Sequence, residues 1–136
     1  MTEKIEGGCL CGKVNFQLNN EFDTFYFCHC KQCRHLTGSA FAANVFTAVD
    51  NIEWITGLDS VLKFSHPSRS FSNAFCSHCG SALPVVTKSK ASLLVPVGCL
   101  HGEPNIMPQA NIFNSERVDW LDCGNDSKRF EGFPTQ

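Results

Sequence analysis

The sequence has no apolar window approaching the roughly 20 residues that a membrane-spanning helix needs. It has no basic run longer than two residues, and its formal net charge is −2 with a pI of about 6.2. A broad nucleic-acid surface depends on clustered Lys and Arg, so nucleic acid is not an expected partner, and neither is a membrane. The opening residues, Met1 to Glu6, carry no apolar core of a secretory signal, so the expected location is the cytoplasm. No stretch of ten or more residues shows helical spacing, and no repeat, linker or low-complexity segment divides the chain. Charged residues make up 18 % against 43 % hydrophobic, the balance of a globular chain rather than a disordered or fibrous one. A chain of 136 residues is expected to form one domain spanning 1–136. Such a domain buries roughly 65–70 % of its unfolded surface.

Short alternating segments are abundant. Lys13 to Leu18 alternates polar and apolar with period two, as a half-buried strand does, and Asn19-Asn20 reads as a turn. Phe25-Tyr26-Phe27, Ser39 to Phe46, Ile52 to Thr56, Val61 to Ser65 and Ser70 to Phe75 are further strands. Leu83 to Val86 and Leu93 to Val97 follow, their prolines marking sheet edges or strand starts, and Ala110 to Phe113 is the last. Lys31 to Thr37 is expected to form one short helix ended by Gly38. Many short strands at regular intervals predict an all-β assembly. Twelve Phe supply its core, and the tail after Asp126 carries Phe130 and Phe133, expected to pack back on the surface.

Against this spare background stand nine cysteines, seven of them in three tight groups: Cys9-Leu-Cys11, Cys28-His-Cys30-Lys-Gln-Cys33 and Cys76-Ser-His-Cys79. In a reducing compartment such spacing more often binds metal than forms disulfides, and an odd count argues against a fully paired disulfide frame. CxC and CxxC are knuckle spacings that turn both sulfurs to one side, and Gly12 and Gly80 follow the first and third groups. Four thiolates close a tetrahedral zinc site, and three leave a second ion with an open position. Spacing alone leaves two pairings open. The first and third groups can join, or Cys30/Cys33 can join Cys76/Cys79 as a zinc ribbon.

Three motifs in order carry a resemblance. Gly7-Gly8-Cys9-Leu10-Cys11-Gly12-Lys13-Val14 comes first; Cys28-His29-Cys30-x-x-Cys33-Arg34-x-x-x-Gly38-Ser39 comes second; Phe75-Cys76-x-x-Cys79-Gly80-Ser81-x-Leu83 comes third. Over about residues 5–125 the chain resembles the glutathione-dependent formaldehyde-activating enzyme family, also called the centromere protein V/Gfa family. The resemblance implies a β-tent fold, small β-sheets organised around zinc. It implies a structural zinc on Cys9, Cys11, Cys76 and Cys79, and a catalytic zinc on Cys28, Cys30 and Cys33. It also implies S-(hydroxymethyl)glutathione formation, a carbon–sulfur lyase in reverse, with glutathione as the thiol. The chain departs from the family at Gly98-Cys99-Leu100-His101, which stands where relatives carry a Gly-Ser-Leu-Asp-like stretch, in the expected substrate-pocket wall.

Charge counting agrees with this reading. Three thiolates on Zn²⁺ leave a net charge of about −1, a weaker Lewis acid than zinc held by neutral histidines. An open position of that kind suits a second soft ligand, a thiol, more than an activated water. Lys31, Arg34 and Arg69 are candidate partners for the carboxylates of glutathione. His29 is expected to hydrogen-bond outside the ligand set, and His35 and His78 to face solvent. Cys99 and Cys123 are expected to be buried thiols. Ser39, Phe41 and Asn44 are candidate pocket residues, with core packing an equal explanation for Phe41. Two other readings keep the fold: a non-catalytic zinc-binding module, and a related enzyme acting on a different thiol adduct.

Overall fold

The computed structural model describes residues 3–134. In chain order the strands are β1 (Lys4–Gly8), β2 (Asn15–Asn19), β3 (Thr24–Cys28), β4 (Ala42–Thr47), β5 (Glu53–Thr56) and β6 (Val61–Ser65). They continue with β7 (Ser72–Cys76), β8 (Ala82–Leu83), β9 (Val85–Val86), β10 (Leu93–Pro96) and β11 (Ala110–Ile112). The helices are short, α1 (Lys31–Thr37) and α2 (Trp120–Asn125). The protein is all-β, as the alternating segments predict.

Three small sheets form, ordered β1-β2-β5, β11-β3-β4-β10-β9 and β6-β7-β8. Every pairing is antiparallel except β11 with β3. The alternation in β2 turns Phe16 and Leu18 into a shared core with Val14, Val45, Leu83, Leu93 and Val95, all nearly inaccessible. Phe16 meets Trp54 of β5 edge-to-face at 5.6 Å. Burying a side chain of this size contributes about 1.5–3 kcal/mol, so the core joins the sheets that short strands could not stabilise alone.

Local chemistry explains the strand ends. Pro96 is the last residue of β10, paired with Asn44 but beyond the reach of β9, so its missing N–H falls at a strand end. Pro84 separates β8 from β9. Gly38 adopts the left-handed conformation, φ 62°, and its N–H bonds to Arg34 O at 2.8 Å, which stops α1 where the sequence predicts.

Two elements were not anticipated. β1 contains two glycines, poor strand formers, yet it pairs with β2 in full register from Lys4↔Asn19 to Gly8↔Asn15. α2 is only six residues long, too short for a periodic signal. The expectation that the tail packs back is not met: Phe130 and Phe133 are 51 % and 96 % exposed. No helix among the described residues is long and apolar enough to cross a membrane.

Candidate metal centre and adjoining cavity

β1 ends at Gly8, and the turn into β2 carries Cys9 and Cys11. β7 ends with Cys76, and the turn into β8 carries Cys79. Each turn closes on a glycine with positive φ, Gly12 at 82° and Gly80 at 75°, which lets the backbone fold tightly under the sulfurs. Gly12 N donates to Cys9 O at 3.1 Å and Gly80 N to Cys76 O at 2.8 Å. Leu10 N donates to Ser81 Oγ at 3.0 Å, tying the two turns together. The result is a cluster of Cys9, Cys11, Cys76 and Cys79 whose sulfurs all lie within 4.8 Å of one another.

The second cluster grows from the junction of β3 and α1. Cys28 is the last residue of β3, Cys30 is the N-cap of α1, and Cys33 sits on its buried face. Cys33 N donates to Cys30 Sγ at 3.4 Å, a capping bond that fixes the sulfur at this helix start. The three sulfurs lie within 4.8 Å of one another, and all three residues are buried. Among the described residues no fourth Cys, His, Asp or Glu joins them. The structure therefore does not form the ribbon grouping of Cys30/Cys33 with Cys76/Cys79.

Zinc–sulfur bonds of about 2.3 Å in a tetrahedron place sulfurs about 3.8 Å apart. The observed contacts are 3.5 Å for Cys9–Cys11, 3.8 Å for Cys11–Cys76 and 3.5 Å for Cys28–Cys30. The spacing and the soft donor set fit zinc, and both clusters could hold a metal ion.

The electrostatics of the thiols agree with this. The Ser81 hydroxyl and backbone hold the Cys79 thiol down at about 5. Cys11 is pushed up to about 11: a backbone bond from Lys13 favours its thiolate, but burial and the neighbouring sulfurs outweigh it. In the second cluster, burial first and the adjacent sulfurs second raise Cys33, and burial raises Cys28. Several thiols at one point cannot all ionise unless a cation shares their charge.

The surroundings fix the second cluster in place. His29, wholly buried between two of its cysteines, directs Nε2 to Asn111 Oδ1 at 2.8 Å, outside the cluster. Its backbone N–H bonds to Ile112 O at 3.0 Å, and Lys31 N bonds to Glu116 Oε1 at 3.2 Å. β11 and the turn after it thus brace the cysteine loop. All three cysteines line a cavity of about 210 Å³, together with Tyr26, Phe71 and Phe113. Phe113 is held at φ 53°, a conformation that costs a bulky residue of order 1–3 kcal/mol.

Of the other residues singled out by sequence, Asn44 lines this cavity, whereas Ser39 is exposed. Phe41 stacks on Phe27 at 4.4 Å and borders His29 at 5.3 Å, so it packs rather than lining the cavity. Lys31 and Arg69 are exposed, and Arg34 is half-buried; none lines the cavity. His35 and His78 are exposed as expected. Cys99 is partly buried and donates to Pro96 O at 2.9 Å. Cys123 corrects the sequence reading: it is exposed, because α2 lies at the surface with no buried residue. Gly98, Cys99 and His101, the divergent stretch, line a larger cavity of about 810 Å³. Tyr26, Phe71, Asn111 and Phe113 carried no motif that could have marked them.

A sequence model of the family described as glutathione-dependent formaldehyde-activating enzyme matches residues 4–116. The chain belongs to this family. A crystal structure of a Rhodobacter sphaeroides protein is similar over 78 % of this chain and 97 % of that chain, with a TM-score of 0.58 and 24 % identity. That likeness concerns the fold. None of the curated proteins compared with the chain matches it. Family membership associates the chain with formaldehyde-activating enzymes and a glutathione-related thiol.

Proposed function

We propose that this chain, acting as one domain over residues 1–136, is a zinc-dependent enzyme that joins a thiol to formaldehyde. Glutathione or a similar thiol would react to give the S-hydroxymethyl adduct, with carbon–sulfur cleavage as the reverse step. The observation that carries this reading is the contrast between the clusters: four sulfurs complete one set, while three converge on a cavity with no fourth protein ligand among the described residues. In this reading Cys9, Cys11, Cys76 and Cys79 hold a structural ion, and Cys28, Cys30 and Cys33 a catalytic one.

When bound by the three cysteines, zinc would supply a soft Lewis acid that lowers the pKa of an incoming thiol. The protein's own groups do the rest. Cys33 N–H holds Cys30 Sγ in place, and His29 with Asn111 keeps the loop from turning away. Phe46, Phe71, Ile112 and Phe113 frame the cavity with apolar surface, which limits water around the reacting atoms. Tyr26 adds a hydroxyl donor to the same wall. In the addition, a sulfur–carbon bond forms as the carbonyl π bond breaks, and the thiol proton ends on the carbonyl oxygen; nothing is oxidised or reduced. We place the reaction in the cytoplasm, where nine unpaired cysteines suit the reducing conditions. Neither nucleic acid nor membrane takes part.

The test is adduct formation from glutathione and formaldehyde, followed against the uncatalysed rate. The native protein should accelerate it and Cys33→Ser should not. Equal rates for both would leave a zinc-binding module without turnover.

A further inference from the structure

Among the described residues two that are not glycine have positive φ, Lys90 at 63° and Phe113 at 53°. Lys90 is an exposed turn residue between β9 and β10, and its N–H bonds to Thr87 O at 2.8 Å. Phe113 is different. A bulky side chain rarely occupies the left-handed region, and its surroundings must hold it there against the strain. Burial does not offset that strain: Phe113 is 59 % exposed, and its ring makes no ring-to-ring contact among the described residues. A glycine or an asparagine would meet the same backbone demand more easily. The free protein therefore gains little from a phenyl ring here. A local rule broken without a compensating contact marks a position whose compensation comes from a ligand.

Its place in the fold says which ligand. Phe113 lines the 210 Å³ cavity together with Cys28, Cys30 and Cys33, and its exposure puts it at the rim. The chain on both sides of it is tied to the cysteine loop. Before it, Ile112 pairs with Cys28 and accepts from His29 N–H at 3.0 Å. After it, Glu116 N donates to Phe113 O at 3.1 Å, while Glu116 Oε1 accepts from Lys31 N at 3.2 Å. The ring cannot drift from the three sulfurs without breaking these bonds. Other aromatic residues of the cavity are already engaged: Tyr26 and Phe46 lie 6.3 Å apart, and Phe71 packs against the buried cysteines. Phe113 keeps an open face.

We propose that the Phe113 ring is a substrate-contacting clamp, which covers the carbon next to sulfur when a thiol occupies the three-cysteine site. The proposal rests on the thiol-adduct reading of that site and assigns it a positioning residue. A cysteinyl thiol such as glutathione presents one apolar methylene beside its sulfur, flanked by polar peptide groups. The cavity is smaller than the roughly 300–1,000 Å³ of an ordinary ligand site. The sulfur end therefore enters, and the rest of the tripeptide, with its carboxylates, stays in solvent beyond the rim. A phenyl ring at that rim packs on the methylene and keeps water from the sulfur, which a hydrogen-bonding side chain would not do.

Calorimetric titration of the zinc-loaded protein with glutathione, without formaldehyde, tests this. Phe113→Asn should weaken glutathione about tenfold, the worth of a partly buried phenyl ring, and Phe113→Tyr should bind it within about twofold of the native protein. Without glutathione, Phe113→Asn should melt no lower than the native protein, because asparagine tolerates the left-handed conformation and little burial is lost. The clamp is overturned if Phe113→Asn binds glutathione as well as the native protein. It is equally overturned if that variant melts clearly lower, since the ring would then be holding the fold. If the native protein binds no glutathione, the clamp and the proposed function fall together. If binding behaves as stated and adduct formation is not accelerated, the proposed function fails and the clamp stands.

Discussion

Breaking the four-cysteine cluster should unfold this protein, and the effect can be sized from the structure. The Cys11–Cys76 contact spans 65 residues, from the start of the chain to its middle. A cross-link closing a loop of that length restricts the unfolded chain by about 4 kcal/mol. Cys28, Cys30 and Cys33 span only a handful of residues, for which the same relation gives about 2 kcal/mol. With an unfolding entropy of roughly 2.1 cal/mol/K per residue, 4 kcal/mol corresponds to a Tm drop of about 14 °C, and 2 kcal/mol to about 7 °C. These are lower limits, since structural zinc in small domains binds with an apparent 10–16 kcal/mol, comparable to the whole net stability of a domain. Cys79→Ser should thus lower the Tm of the zinc-loaded protein by at least about 14 °C. Cys33→Ser should lower it by clearly less, although Cys33 is the more buried of the two. Calorimetric melts of both variants, and of the native protein with a strong chelator, give the comparison. A chelated protein that keeps its near-ultraviolet circular dichroism and melting temperature would refute the reasoning, as would equal shifts for the two variants.

Three further outcomes are expected. Gly57→Ala would place a Cβ 2.1 Å from Lys13 O at a φ of 78°, so the β5 exit must move; a loss of at least about 1–2 kcal/mol should lower Tm by roughly 4–7 °C, and an unchanged melt would contradict the packing. Asn111→Ala removes the one hydrogen-bond partner that the buried His29 ring has among the described residues, Nδ1 having none. The cost should be about 1–3 kcal/mol with faster zinc loss to a chromophoric chelator, and a native melt and native release rate would dismiss the bracing role. Burial raises the Cys99 thiol from 9.0 to about 12. Below pH 9 the folded and unfolded chains both keep this proton, and between 9 and 12 only the unfolded chain loses it, so its contribution makes stability fall as pH rises through that window. Alkylation followed by mass spectrometry should leave Cys99 unmodified at pH 9 while the exposed Cys123 reacts; modification of both at one rate would disprove it.

The strands were legible because their signal is local. Period-two alternation in β2 reports which face is buried, and Gly38 announces the end of α1 through the backbone freedom that only glycine has. β1 escaped notice because its reason lies elsewhere: a Cβ at Gly7 would sit 2.4 Å from the Phe16 ring, so the residue that weakens the strand locally is the one that lets β2 approach. Cys123 was misjudged for the opposite reason. Cysteine is usually buried, but nothing in six residues reveals that a helix has no core to face.

The cysteine groups divide along the same line. Sequence by itself determined that seven thiols come in three tight turns, because CxC and CxxC spacing acts over a few bonds. It left open which turns meet, since residues 65 apart are joined only by the packing of sheets around Phe16 and its neighbours. The tertiary structure decided that the first and third groups share one point while the middle group faces a cavity. It also placed Tyr26, Asn44 and Phe113 around that cavity, from three strands or turns with no common motif. Ligand spacing is a short-range property of the chain, whereas a cavity is a relation between surfaces that only folding brings face to face.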